Sequence, residues 1–475
     1  MPATEENPYE LDPANILEPP TKFAALARHL GPGFILSASI VGSGELIATT
    51  LLGAKAGFVC LWVVLFSCLV KVAVQLEFGK FAIYSGKTTM EGLNALPGPK
   101  FGKANWSIWT WLTIMTLKFL QVGGIVGGVV SILVLVAPLG SVGKIIWSVV
   151  TVVAVALLVR RGLYRPIERW SILMIGLFTI FTFISLVALQ WTPLAISGAD
   201  ITAGFTFTIP PAALIVAIGA FGITGVGGDE IMAYNYWLIE KGYASHTGPR
   251  ENSEAWNRRA LGWIRIMKFD AVLSMVCYTI VTALFYLLGA AVLNRKGLVP
   301  EGSELVSSLA TMYTESLGPW AMWAFIIGAL VVLFSTLLAA LAAWTRMFSD
   351  AFGQIGWIDF HNPADRRRMI GIFAWVFPSI WAILFLIFKA PAFMVIVGGV
   401  ATAFILLIVV FAAIIMRLRW LPAALKPSKL YDLTLTLSAL AIAAVAVYSV
   451  WSNWDKFQSS NAPPPAAEET APADQ

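Results

Sequence analysis

A few polar side chains with the potential for chemistry stand inside runs that are otherwise apolar. The stretch GITGVGGDEIMAYNYW, Gly222 to Trp237, brings Asp229 and Glu230 directly after Gly225, Gly227 and Gly228. An earlier stretch, IVGSGELIATT, puts Glu45 after Gly42, Ser43 and Gly44. A third apolar run carries Lys118 and Gln121, three residues apart and so on one helix face. Carboxylates at membrane depth are costly and generally serve a substrate or ion pathway. Where a helix is interrupted, carbonyls such as those around Gly42 and Ile223 become free to join them. Glu45 and Asp229 are therefore candidate ligands for a cation, with Gly42, Ser43, Ile223, Val226 and Glu230 around them. A lysine at the same depth needs a counter-charge, and Glu45, Asp229 and Glu230 are the choices for Lys118. Lys71 is expected to snorkel towards an interface near Glu77.

Elements that could hold these groups follow from composition. The chain is 58% hydrophobic and 12% charged, with a mean hydropathy of +0.78. A soluble domain carries about 25% charged residues. Most of this surface must therefore meet lipid. The apolar runs are long and continuous, unlike the alternating ten-residue segments of a β-barrel. An all-α membrane protein is expected.

A helix needs about 20 apolar residues to cross a bilayer. Runs of that kind fall at 31–54, 58–83, 107–137, 144–159, 166–191, 208–239, 266–293, 318–346, 369–388, 391–416 and 430–452, which gives about 11 transmembrane helices. Basic residues concentrate in cytoplasmic loops. With the N-terminus inside, inner segments hold roughly four times as many lysines and arginines as outer ones, Arg160, Arg161, Arg366, Arg367 and Arg368 among them. The net charge of +5 then reflects topology, not nucleic-acid binding. Residues 1–30 are expected to form a cytoplasmic segment without a cleavable leader. Residues 31–452 form the membrane domain, with 31–191 and 208–416 as two repeats and 430–452 as an extra helix. The proline- and acid-rich residues 453–475 are expected to be a disordered tail.

Helices one and six share one kind of interruption, Val41 to Glu45 echoing Val226 to Glu230. Their separation by five spans is the layout of an inverted 5+5 repeat. Glycine permits the unwinding and lets a solute approach the main chain. Broken helices survive in a membrane only where protein or a watery cavity surrounds them. The half-helix beginning near Asp229 presents N–H groups and a positive dipole end. Asp229 and Glu230 could then merely cap and support its first turn, the bland alternative to binding a solute.

The first span, GPGFILSASIVGSGELIATTLLGAKAGF, resembles the Nramp (natural resistance-associated macrophage protein) family of divalent-metal transporters. The likeness lies in Gly31, Pro32, Gly33, Phe34, Gly44, Gly53 and Gly57, and continues at Gly219, Gly222, Thr224 and Asp270. It spans approximately residues 30–420 and implies a LeuT-type fold with helices 1 and 6 broken. The family's Asp-Pro-Gly-Asn falls on Gly42, Ser43, Gly44 and Glu45, and its Met-Pro-His-Asn on Val226, Gly227, Gly228 and Asp229. Lys118 and Gln121 stand where the family has an Asp-x-x-Glu pair linked to proton movement. Measured against the family, the site changes from oxygen and sulfur ligands to oxygen alone. Such a set favours Mg²⁺ or Mn²⁺ over Fe²⁺ or Zn²⁺.

The leading expectation is a secondary transporter that moves a divalent cation across the plasma membrane by alternating access. Its main rival is a carrier of the same fold for an amino acid, amine or other small organic solute. The Gly-Ser-Gly of helix one also resembles that of amino-acid–polyamine–organocation carriers, and Tyr234, Tyr236 and Trp237 could line such a pocket. No HExxH, intramembrane histidine or nucleophile–base pairing suggests an enzyme. No cofactor is expected. Cys60, Cys68 and Cys277 read as small buried hydrophobes.

Overall fold

A computed structural model describes residues 7–22, 26, 29–33, 42, 44–161 and 164–460. The helices in order are α1 (Thr50–Ala56), α2 (Leu61–Ser85), α3 (Thr89–Asn94), α4 (Trp106–Val136), α5 (Gly143–Arg160), α6 (Tyr164–Ala188), α7 (Gly198–Ala203), α8 (Leu214–Ile223) and α9 (Gly228–Glu240). They continue with α10 (Tyr243–Thr247), α11 (Glu254–Leu288), α12 (Leu305–Leu317), α13 (Ala321–Ile355), α14 (Pro363–Phe388), α15 (Pro391–Ile415) and α16 (Lys429–Ser460). One departure from all-α is a hairpin of two short strands, β1 (Lys100–Phe101) and β2 (Ala104–Asn105), turning at Gly102 with φ of +67°.

Among the described residues, 10 helical segments are long and apolar enough to span a membrane, and they match the second to eleventh expected spans. Much of the first expected span lies outside the described residues. Its described end is a π turn, Gly44–Thr49, running into α1. The expected tail begins inside α16, and residues beyond 460 lie outside the description.

Boundaries follow local chemistry. Asn105 caps α4 and Ser253 caps α11 through side-chain oxygens that accept the exposed N–H groups. Pro363 and Pro391 open α14 and α15, where a missing N–H costs nothing. Gly86 and Gly356 end α2 and α13 in the left-handed conformation.

Burial orders the spans. In the apolar 18-residue stretch of Leu173–Trp191 only 28% is inside the protein, against 78% in that of Pro211–Glu240. The interrupted helix α8–α9 is therefore at the centre, while α6 and α16 face outward. Around it, α2 packs on α9 and α11, and α4 packs on α13, α14 and α15. Glycines allow main chains to touch: a Cβ at Gly222 would lie 2.0 Å from the carbonyl oxygen of Gly399 on α15, and one at Gly53 would lie 2.5 Å from that of Tyr286 on α11.

The described part of the N-terminal segment is a strap across one face. Leu17 donates its N–H to the His246 carbonyl at 3.0 Å, and Trp263 donates to the Leu17 carbonyl at 3.0 Å. Tyr9 donates to Glu240 at 2.7 Å, under the guanidinium of Arg366. Glu240 on α9 also pairs with Arg346 on α13.

Candidate functional site

The break in helix six is present, and the described end of the first span meets it. Helix six stops at Ile223 and resumes at Gly228, with Gly225 at φ +66° between them. A Cβ on Gly44 of the first span would lie 3.1 Å from the Ile223 carbonyl oxygen. Gly42 is pressed closer still to α13, where its Cβ would lie 1.9 Å from Thr336 Oγ1.

Glu45 ties the first span to the break in helix six. Its carboxylate is fully buried and accepts from the N–H of Gly42 at 3.4 Å, the N–H of Gly225 at 3.3 Å and the hydroxyl of Thr282 at 3.2 Å. Backbone donors and one hydroxyl thus solvate the acid from inside the protein.

Asp229 occupies different surroundings. It forms an ion pair with Lys118 of α4 and accepts from the Trp344 indole of α13 at 3.0 Å. Gly227, and not Asp229, is the N-cap of α9; Glu230 closes the cap by accepting the Gly227 N–H at 2.7 Å. Both acids lie in the first turn, where the helix dipole favours negative charge.

A cavity of about 40 Å³ opens beside this pair, bordered by Gly44, Lys118, Gln121, Ile223, Asp229 and Glu230, together with Thr336 and Trp344. One water needs about 10–15 Å³ by the same measure, so the space suits a small ion with a few waters. Its charged wall consists of one ammonium and two carboxylates. No methionine, cysteine or histidine lines it among the described residues.

Of the residues singled out by sequence, Ile223, Asp229, Glu230, Lys118 and Gln121 gather at the cavity. Gly44 reaches it in place of Gly42. Val226 is buried but off the wall, Glu45 turns into its own hydrogen-bond network, and Ser43 lies outside the described residues. Among the described residues no three His, Cys, Asp or Glu side chains come together in a metal-ligating group. Gln121 accepts from Thr402 at 3.4 Å. Asp270, prominent in the resemblance, accepts the N–H groups of Gly31 at 3.0 Å and Gly33 at 2.5 Å, so it anchors the start of the first span.

Lys71 does not snorkel. It is fully buried, and its ammonium meets the carbonyls of Phe221, Gly222 and Thr224. Glu77 instead holds Lys80 at 2.5 Å and the Tyr431 hydroxyl at 2.6 Å. Cys277 is exposed where burial was expected. Sequence reasoning missed Trp344 and Thr336. Both stand in the α13 run FSTLLAALAAWTR, where a few polar atoms in an otherwise apolar span were the available signal.

Comparisons with known proteins agree with this geometry. The family model "Natural resistance-associated macrophage protein-like" matches residues 33–452. The chain is 26% identical over 351 residues to the "Divalent metal cation transporter MntH" of Xanthomonas campestris pv. campestris, covering 73% of this chain and 72% of that protein. Its fold matches the manganese transporter of Eremococcus coleocola with a TM-score of 0.62 at 15% identity, over 94% of this chain and 92% of the other. It also matches MhsT, solved with L-phenylalanine, with a TM-score of 0.59 at 15% identity, over 92% and 99% of the two chains. A broken sixth helix in a LeuT-type fold, together with a family match across almost the whole membrane region, places this chain in the Nramp family of membrane transporters, not among enzymes.

Proposed function

We propose that this chain carries a divalent metal cation by alternating access, favouring a hard cation such as Mg²⁺ or Mn²⁺ over Fe²⁺ or Zn²⁺. The supporting observation is the donor set around the cavity: carboxylates of Asp229 and Glu230, the Gln121 amide, the Thr336 hydroxyl and nearby carbonyls, without sulfur or imidazole. Oxygen donors suit hard cations, which retain several waters when bound. The relatives named above as metal transporters point the same way.

Lys118 then acts as a tethered competitor. An arriving cation takes Asp229 and displaces the ammonium from it, so cation and ammonium compete for one counter-charge. Asp229 lies on α9, which packs on α2, whereas Lys118 and Trp344 lie on α4 and α13. The pair therefore links the two sides that alternating access moves against each other. Glu45 contributes by holding the first span in register with the break in helix six. In this reading the strap face is cytoplasmic, the membrane is the plasma (inner) membrane, and residues 31–191 and 208–416 are the two repeats.

One observation favours the organic-solute reading: Trp237 and Trp344 share the wall with a lysine, an arrangement able to hold a small zwitterion. Uptake by proteoliposomes discriminates between them. Saturable Mg²⁺ or Mn²⁺ uptake, abolished by Asp229→Asn, is expected. Uptake of amino acids or amines with no metal uptake would reverse the assignment.

A further inference from the structure

Half-helix α8 ends in the middle of the protein, and its last carbonyls have no following turn to donate to them. Such carbonyls carry the negative end of the helix dipole. At membrane depth they cannot be left bare. Here an ammonium meets them. Lys71 Nζ lies 3.2 Å from the Gly222 carbonyl oxygen and 2.9 Å from that of Thr224, and it also contacts that of Phe221. Three acceptors match the three donors of an ammonium group. The Phe221 ring lies 5.1 Å from the same nitrogen.

A hydroxyl on the same helix adds to the cage. One turn before Lys71 on α2, the Ser67 hydroxyl lies 2.9 Å from the Phe221 carbonyl oxygen and 3.1 Å from that of Thr224. Residues four apart share a helix face, so α2 presents hydroxyl and ammonium together to the cut end of α8. The partners of Lys71 are carbonyl dipoles, not a carboxylate. Such an environment, made of unwound backbone and a half-helix C-terminus, is the kind in which transporters with broken helices hold a mobile monovalent cation.

We infer that Lys71 is a tethered cation that fills a carbonyl cage at the sixth-helix break and thereby positions Ile223 and Gly227 beside the cavity. It is a positioning residue, since Ile223 and Gly227 reach the cavity and Lys71 does not. The inference is independent of which solute is carried. It requires that removing the ammonium create a binding place for a free monovalent cation.

The test uses full-length protein carrying Lys71→Ala, which opens the space, or Lys71→Met, which keeps the length and removes the charge. Folded yield and melting temperature are measured in Na⁺, K⁺, propylammonium and, as a control too large to enter, choline. In at least one variant both readouts should climb with a small cation and stay flat in choline, while the natural protein responds to none. Mn²⁺ uptake by that variant in choline should fall at least about tenfold, the scale of losing even one of the three charged hydrogen bonds, and recover with the same monovalent cation. If neither variant responds to any cation, whether it folds or not, the inference is overturned. Equal response of the natural protein overturns it as well, because its cage is already filled.

Discussion

Neutralising Asp229 should cost stability as well as transport. Lys118 and Asp229 are 3% and 5% exposed, so the pair is all but removed from water. Breaking a buried pair strands one charge and costs about 3–5 kcal/mol, whereas replacing both members with neutral groups of similar size is often close to neutral. In Asp229→Asn the amide oxygen can still accept the Trp344 indole N–H, which argues for the lower figure, about 3 kcal/mol. Lys118→Met leaves the carboxylate with that indole alone and should cost about the same. The double variant should lose only about 1 kcal/mol, giving a coupling of about 5 kcal/mol. Denaturant-induced unfolding of the four proteins in one detergent gives all the values needed. A double variant whose loss equals the sum of the singles within about 0.5 kcal/mol would refute the buried pair as the source of the effect.

Two further outcomes follow from other parts of the fold. Gly222→Ala drives a Cβ to within 2.0 Å of the Gly399 carbonyl oxygen, and overpacking against backbone should cost about 3 kcal/mol or more; Gly371→Ala, with nothing within 4 Å, should fold normally in the same expression and melting assay. Under the strap, His29 and His246 lie 5.9 Å apart. Burial holds both below the ordinary histidine range, helped by the charge of Lys241 on His29 and of His29 on His246. Their folded values lie below the unfolded value, so the neutral rings contribute stability that is present above about pH 6.5 and lost as pH falls. Melting temperature should therefore drop between about pH 7.5 and about pH 5. A drop left unchanged by the His29→Gln, His246→Gln double variant would assign it elsewhere.

Much of the fold was legible because hydropathy and positional charge are local signals. Ten spans appear where apolar runs of sufficient length predicted them. The helix-six break was legible too, since Gly225, Gly227 and Gly228 together cannot favour a continuous helix. Side-chain partners were less so, because they depend on which helices adjoin. The need of Lys118 for a counter-charge could be read from its depth, but the choice of Asp229 over Glu45 required knowing that α4 faces α9. Lys71 misled for the same reason. Glu77 was its acidic neighbour along the chain, while the carbonyls of α8 lie some 150 residues away. A lysine solvated by backbone leaves no mark in residue types. Glu45 and Asp229, alike in setting along the sequence, separate only in space, one onto main-chain donors and the other onto an ammonium.

The strap has a consequence for the order in which the molecule can be completed. Asn7 is bonded to His361 and Arg366, residues that follow it by 354 and 359 positions. Residues 7–9 are thus fastened by residues made some 350 positions later, and Tyr9 finds Phe360 only once the segment before α14 has been made. Closing so long a loop adds little extra entropy cost, because that cost grows only logarithmically with length. A polypeptide halted before Glu240 lacks the partners of Asn7, Tyr9 and Leu17, and one that extends past Arg366 has them all. Order in residues 7–17 therefore reports that the elements carrying those partners have arrived and packed.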